Sequence, residues 1–286
     1  MKLEIIRDTK FVRVGAQGRF GRAASKAALA LALAAILLPP VWAADAAPPG
    51  AEATSADAIL RQMSQRLGAA GKFSFTVRRE IDSGLAGGDG LHGNARIAVK
   101  VQRPDKVVTR AAIPGDVRCL YFDGKQLSLV DVKKKTYSTV PLASSLDKLP
   151  SDLATIFGFV PPVAELIISD LYADLAWRAQ SVEHRGTGTI NAGFLGLKRV
   201  RCHRVGLTGR HADSELWIGV NDLLPRRWTS TVKGADGNVE IRLELSDWNL
   251  KAETRAEEFV FSPGKDARQI PMMTEADMAA AHKAGK

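Results

Sequence analysis

Apolar and polar residues alternate along most of this chain, which predicts β-strands with one buried and one wet face. The pattern is clearest where Val239, Ile241, Leu243 and Leu245 alternate with polar or charged neighbours. The same period of two predicts further strands within residues 72–81, 96–104, 106–111, 120–140, 197–207, 214–220 and 225–233. A single sheet of about nine or ten such strands is expected to curl strongly.

A helical period of three to four residues replaces this alternation at the start of the folded region. Residues 54–69 carry apolar side chains at helical spacing, with Thr54 or Ser55 as the expected N-cap and Gly68 as the expected C-cap. We predict a short amphipathic helix here, whose apolar stripe packs on the sheet.

A second helical segment, residues 143–177, separates the two groups of strands and is called the insert below. Its pattern predicts two helices joined by the sequence GFVPP. The apolar residues at helical spacing are Leu146, Leu149, Leu153, Ile156, Phe157, Val163, Leu166, Ile167, Leu171 and Leu175. Two isolated helices could not keep so much apolar surface in water, so we expect the insert to cover the concave face of the sheet.

The order of these elements predicts an α+β fold, in which a strongly curved antiparallel sheet carries an N-terminal helix and the insert. We predict one domain over residues 55–271, because no internal linker or repeat divides it. Residues 44–54 form an Ala/Pro/Gly-rich leader, and residues 272–286 form a C-terminal tail.

The amino terminus has the three parts of a secretory signal peptide. Seven Lys and Arg residues precede an apolar run that ends in Val41 and Ala43, the small residues expected before a cleavage site. Pro39-Pro40 closes the run before it reaches the roughly 18 apolar residues of a membrane span. We expect cleavage near Ala43 and export to the periplasm.

Cleavage changes what the charge of the chain implies. Residues 1–43 contain seven bases and two acids, so their removal lowers the net charge from +9 to +4. The surviving KKK at 133–135 is short and lies in a predicted turn, and no basic block with interleaved aromatic residues remains. We therefore expect no nucleic-acid partner.

The side chains that carry catalytic chemistry show no known motif. The sequence has no H-E-x-x-H, C-x-x-C or G-x-S-x-G, so we predict no metal and no cofactor. The glycine-rich stretch at 184–199 lacks a phosphate-loop ending and is predicted to be a flexible connection. Cys119 and Cys202 are an even pair in an exported protein, and two alternatives remain open for them: a disulfide, or two unpaired thiols packed in strands.

Several segments of the chain resemble the signature segments of an uncharacterised family of predicted periplasmic proteins, a domain of unknown function. These segments are CLYFDGKQLSLVD, ISDLYADL, RCHRVGL, ELWIGVNDLLPRRW and LSDWNL, of which LPRRW and SDWNL are the most specific. That family resembles the LolA/LolB lipoprotein carriers in fold, which implies a half-open antiparallel barrel with a helical lid inside it. The family has no assigned catalytic residue, so the resemblance supplies none here.

These observations predict a protein that holds a hydrophobic ligand under the insert. A lipid, an acyl chain or the lipid moiety of a lipoprotein would suit such a site. A packed interior with no pocket of about 300 Å³ or more would argue against a carrier. The predicted contact residues are Leu153, Ile156, Phe157, Phe159, Val163, Leu166, Ile167, Val239, Ile241 and Leu243.

Two alternatives come from other functional classes. The first is a non-enzymatic interaction module of the cell envelope with a dry core, which would contact a partner protein or the membrane surface transiently. The second is a hydrolase that uses Glu165, Asp170 and Asp174 of the insert, because paired carboxylates can serve acid–base chemistry.

Overall fold

The structure, a computed structural model, describes residues 55–81, 94–160, 163–192, 198–234, 237–274 and 277. The predicted signal peptide (1–43), the leader (44–54) and most of the predicted tail (272–286) lie outside these residues. Along the described chain there is no helix long and apolar enough to cross a membrane.

The predicted N-terminal helix is confirmed as α1, Ala56–Gly68. Ser55 is its N-cap, and the Ser55 hydroxyl accepts a hydrogen bond from the backbone N–H of Ala58 at 3.1 Å. The C-cap is Ala69 rather than the predicted Gly68. Gly68 serves another purpose: a Cβ at this position would collide with the carbonyl oxygen of Ser169, so glycine allows the insert to approach α1.

Six strands follow α1 and confirm the first group of predicted strands. They are β1 (Lys72–Ile81), β2 (Ala95–Gln102), β3 (Lys106–Ile113), β4 (Asp116–Phe122), β5 (Gln126–Asp131) and β6 (Thr136–Pro141). The Asp123-Gly124 turn forms as expected, because Asp123 Oδ1 accepts the backbone N–H groups of Lys125 and Gln126 at 2.9 and 2.7 Å.

The insert contains one predicted helix and a broken second one. The first is α2, Leu149–Phe157, which ends at Gly158 in the left-handed conformation. The second prediction, a continuous helix from Val163, is wrong: a 3₁₀ turn at Ala164–Ile167 precedes α3, Leu171–Arg178. The side chain of Asp170 accepts the Ala173 N–H at 3.0 Å, and this N-cap starts a new helix where the pattern alone continues the old one.

The second group of strands is longer than predicted. It consists of β7 (Ala179–Ala192), β8 (Lys198–Gly209), β9 (Ala212–Gly219), β10 (Pro225–Gly234) and β11 (Gly237–Asn249). The prediction of a flexible connection over 184–199 is wrong for the residues of β7, a 14-residue strand paired along β8. A two-residue strand, β12 (Arg268–Gln269), pairs in parallel with β6.

The strands form one open, curved sheet, which confirms the predicted fold class. Their order is β12-β6-β5-β4-β3-β2-β1-β11-β10-β9-β8-β7, and every neighbouring pair except β12–β6 is antiparallel. Strand β1 pairs with both β2 and β11, so it joins the two groups at the centre. Strands β6 and β7 lie near opposite edges, so the insert that connects them must cross the open side of the half-barrel.

The core fills the concave side of this sheet. One cluster of buried residues includes α1, the insert and the inward positions of β1–β4 and β8–β11. Its largest fully buried side chains include Phe73, Phe75, Phe122, Ile59, Leu60, Met63, Leu153 and Leu166. On the convex side, the ring of Phe261 packs against Tyr121 and Tyr137, with centroids 5.5 and 5.1 Å apart.

The cysteines are unpaired, which overturns the disulfide alternative. Cys119 lies on β4 and Cys202 on β8, and both thiols are buried and free. Six strands separate β4 from β8 in the sheet. Because neighbouring strands are about 4.8 Å apart, the two thiols lie far beyond the reach of a disulfide.

Burial raises the pKa of the Cys202 thiol from 9.0 to about 11. Between these pH values the unfolded chain loses this proton and the folded chain keeps it, so this thiol makes folding less stable as the pH rises from 9 to 11. We expect the stability difference between wild type and Cys202→Ala to change over this range, as measured by urea unfolding at pH 7 and pH 10. A constant difference would contradict the raised pKa.

Candidate ligand-binding site beneath the insert

The insert meets the concave face of the sheet around a small apolar cavity of about 30 Å³. From the sheet the cavity is lined by Val99, Val107, Thr109 and Leu120. From the insert it is lined by Leu149, Pro150, Leu153, Val163, Ala164 and Ile167. Apart from the hydroxyl of Thr109, all of these side chains are hydrocarbon, so the space favours a methylene group over water.

This cavity is about a tenth of the volume expected for a preformed lipid site. The expectation of a spacious pocket is therefore wrong for this closed arrangement, in which side chains pack the interior. A larger, open cleft of about 330 Å³ lies elsewhere, at the ends of β1 and β11, where its lining includes Glu80, Asn94, Glu240 and Arg242. That cleft is mostly polar and does not suit an acyl chain.

The predicted contact residues of the insert divide into three sets. Leu153, Val163 and Ile167 are buried and line the cavity. Phe157 and Leu166 are buried in the same core without lining it, and half-buried Phe159 lies with its ring centroid 6.3 Å from that of Phe157. Ile156 is 36% exposed on the outer side of α2, so the structure does not bring it to the cavity.

The predicted contact residues of β11 lie on the concave face but in its other half. Leu243 is buried, and Val239 and Ile241 are half-buried. They pair with β1 and β10, whereas the cavity lies over β2, β3 and β4. The structure therefore separates them from the insert residues, and their role as ligand contacts stays a prediction.

Arg103 fastens the insert and was not predicted from the sequence. Its guanidinium donates three hydrogen bonds to backbone carbonyls: to Ala70 at 3.2 Å, to Ile167 at 2.7 Å and to Ile168 at 3.0 Å. It also lies 5.4 Å from the centroid of the Phe73 ring. Burial lowers the pKa of Arg103, and the carboxylate of Asp147 partly opposes this shift. No short motif marks Arg103, because its three acceptors come from distant parts of the chain.

Further polar contacts of the insert lie at its rim. Within the insert, the backbone N–H and hydroxyl of Ser169 donate to the carboxylate of Asp147 at 2.6 and 2.8 Å, which holds its two halves together. The hydroxyl of Ser64 on α1 accepts the Tyr172 N–H at 2.9 Å, and the phenol of Tyr172 donates to Asp57 at 2.5 Å. The insert is thus held by hydrogen bonds at its periphery and meets the sheet beneath its middle through hydrocarbon side chains.

The three carboxylates considered for acid–base chemistry all have structural partners. Asp170 caps α3 and accepts a hydrogen bond from Ser64. Glu165 and Asp174 both pair with Arg178 at the end of α3. These contacts explain why acidic residues occupy this part of the insert.

Residues 56–273 match the family described as "Predicted periplasmic protein (DUF2092)". The chain belongs to this family. The description places DUF2092 proteins in the periplasm, in agreement with the export predicted from the sequence. No individually curated protein is significantly similar to this chain.

Among solved structures, this DUF2092 chain is similar to part of the MucA/MucB complex of Pseudomonas aeruginosa, with 14% identity and a TM-score of 0.41. The similarity covers 72% of this chain and 61% of the matched chain, which is less than two thirds of its length. A DUF1329 family protein from Desulfovibrio piger has 10% identity and a TM-score of 0.35, with 72% and 95% of the two chains covered.

Proposed function

We propose that this periplasmic protein binds an apolar ligand, such as an acyl chain, between the insert and the concave face of the sheet. The observation that carries this proposal is the construction of the closed site. The insert crosses the open side of the half-barrel, is fastened by polar contacts to Arg103 and to helix α1, and rests on hydrocarbon around a residual cavity. A segment held in this way can separate from the sheet without breaking β-sheet hydrogen bonds.

The small cavity means that binding requires displacement of the insert. Five of its buried side chains, Leu153, Phe157, Val163, Leu166 and Ile167, would lose contacts with the sheet. At about 1.5–3 kcal/mol each, their exposure would cost roughly 8–15 kcal/mol. Burial of about a dozen ligand methylenes stabilises the complex by roughly 10 kcal/mol, at about 0.8 kcal/mol for each methylene. Ligands that bury this much apolar surface, such as a long acyl chain or a molecule of three aromatic rings, can therefore offset the opening, whereas smaller apolar molecules cannot.

A filled cavity supplies a direct test of this proposal. Thr109→Ile replaces a hydroxyl by a larger hydrocarbon group at the wall of the 30 Å³ cavity and keeps a β-branched residue in β3. We expect this change to weaken binding of N-phenyl-1-naphthylamine, an uncharged dye that fluoresces in apolar surroundings, and to leave stability equal or higher. The control is Val108→Ile, which adds one methylene on the opposite face of the same strand.

The outcome also separates the main proposal from a second candidate function. The packed interior favours a dry interaction module, and the exposed side chains along the long edge strand β7 offer a place for a partner strand to pair.

If wild-type protein purified from periplasm carries no lipid by mass spectrometry and binds no dye, the ligand proposal fails. If Thr109→Ile and Val108→Ile reduce dye binding equally, the dye does not bind beneath the insert.

A further inference from the structure

Arg79 is a basic residue on the inner face of the central strand. Along β1 the inward positions are Phe73, Phe75, Val77, Arg79 and Ile81, and Arg79 is the one charged residue among them. It pairs with Ala95 on β2 and with Leu243 on β11, both of which are buried. The Arg79 side chain therefore leaves the sheet through an apolar surface.

This guanidinium has no counter-charge in the part of the chain that the structure describes. Its Nε is buried and lacks a hydrogen-bond partner, and no described carboxylate forms an ion pair with it. Burial lowers the pKa of Arg79, and the positive charge of Arg118 lowers it further. Arg79 as a whole is half-buried, but a buried N–H without an acceptor is destabilising, so the unmatched Nε at this position is unusual.

A second unmatched donor lies in the same row of the sheet. Trp228 pairs with Leu243 from β10, so Leu243 separates Trp228 from Arg79 across neighbouring strands. Trp228 is 7% exposed, and its buried Nε1 finds no acceptor among the described residues. With strands about 4.8 Å apart, the two backbones lie roughly 10 Å from each other, within reach of one ligand group between their side chains.

The other two buried polar atoms without a hydrogen bond in the described chain have a simpler explanation. Arg226 Nη1 belongs to a guanidinium that pairs with Asp222, and Asp174 Oδ2 pairs with Arg178. Among the described residues, only Arg79 and Trp228 have a buried N–H without an acceptor and no ion pair elsewhere on the same side chain. Both donors call for an acceptor, and the charge of Arg79 favours an anionic one.

Arg118 connects this position to the cavity beneath the insert. It faces inward on β4, one inward position from the cavity-lining Leu120, and its Nε lies 3.4 Å from Asp116 Oδ2. Two rows of inward side chains lie beyond Arg79 along the strands. The first contains Val77, Ile97 and Ala111, and the second contains Phe75 and the cavity-lining Val99. Arg79 and Phe75 are four positions apart in β1, a distance of about 13 Å, so one extended acyl chain can reach from the arginine to the cavity.

We propose that Arg79 and Trp228 hold the carboxylate or phosphate headgroup of an anionic lipid whose acyl chain occupies the space beneath the insert. This inference rests on the proposed function and narrows its ligand class from apolar molecules to anionic amphiphiles. The headgroup oxygens accept from Arg79 Nε–H and Trp228 Nε1–H, while Arg118, on the side of the cavity, is paired with Asp116.

The test compares two ligands with the same chain, palmitate and the uncharged monopalmitoylglycerol, by titration calorimetry. We expect wild type to bind palmitate at least roughly tenfold more tightly, since a charge-assisted contact is lost with the neutral ligand. Arg79→Gln should remove this preference and Trp228→Phe should reduce it. Arg78→Gln is the matched control, because Arg78 is the next residue, points outward and has a 67% exposed side chain.

Each result bears on the proposal separately. Equal affinity of wild type for both ligands would overturn the headgroup site and leave apolar binding intact, whereas binding of neither would overturn both. If Arg79→Gln does not fold, Arg79→Lys, which keeps the charge but not the geometry of the guanidinium, should lose part of the preference. If inorganic phosphate stabilises wild type but not Arg79→Gln, while palmitate shows no preference, the site binds a free anion and the lipid assignment is wrong.

Discussion

Replacement of Phe75 by alanine is expected to lower the free energy of unfolding by about 3–5 kcal/mol. The Phe75 side chain is 2% exposed and stacks on Trp248, with ring centroids 4.4 Å apart. It also lies 6.1 Å from the ring of Phe73. Because β1 pairs with both β2 and β11, a void at Phe75 weakens the contact between the two halves of the sheet, and few neighbours can move to fill it.

Urea unfolding monitored by far-UV circular dichroism measures this loss directly. The control is Arg78→Ala, three residues along the same strand on the outer face, where we expect a change within about 0.5 kcal/mol. A loss of less than about 1 kcal/mol for Phe75→Ala would mean that the two halves of the sheet do not share one core. Separate unfolding transitions for the two halves would lead to the same conclusion.

The elements that sequence analysis predicted well are those with a wet and a buried side. Strand β11 and helix α1 have such patterns, because the sheet and the helix each bury one face. Strand β7 lacks the pattern: it is an edge strand with mostly exposed side chains, formed by backbone pairing with β8. Its Gly188 is explained only in three dimensions, because a Cβ there would collide with the ring of Trp217 on β9.

The candidate site was half predictable for a related reason. The residues on the insert side, Leu153, Val163 and Ile167, could be predicted because the apolar face of such helices must be buried against another element. The sheet side does not, because the alternation along β2 and β3 marks an inward face without showing which part of it the insert reaches. The unmatched donors of Arg79 and Trp228 depend on strand register, which pairs residues more than a hundred positions apart and leaves no local signal.

Replacement of Arg103 by glutamine is expected to loosen the insert and to cost about 2–3 kcal/mol of stability. The change removes a charged donor from three carbonyls, those of Ala70, Ile167 and Ile168, and hydrogen bonds to charged groups contribute about 1.5–3 kcal/mol each without being additive. Two of these acceptors belong to the insert and one follows α1, so Arg103 joins both elements to the turn after β2.

Hydrogen exchange locates this effect. In Arg103→Gln the amides of α3 and the preceding 3₁₀ turn should exchange faster than the loss of global stability alone explains. The amides of β1 and β11 should exchange faster only by the amount that this global loss predicts. Arg110→Gln is the control, because Arg110 is an exposed arginine on the neighbouring β3 whose nearest polar contact, to the Cys119 sulfur, is long at 3.9 Å.

The same variant separates a lid from an ordinary core element. If the insert opens to admit a ligand, Arg103→Gln should bind N-phenyl-1-naphthylamine faster than wild type, because the opening that precedes binding has become easier. If the insert is a fixed part of the core, stability falls while the binding rate stays the same. Uniformly faster exchange throughout the sheet, with no added effect in the insert, would show that Arg103 supports the fold as a whole and does not fasten a movable cover.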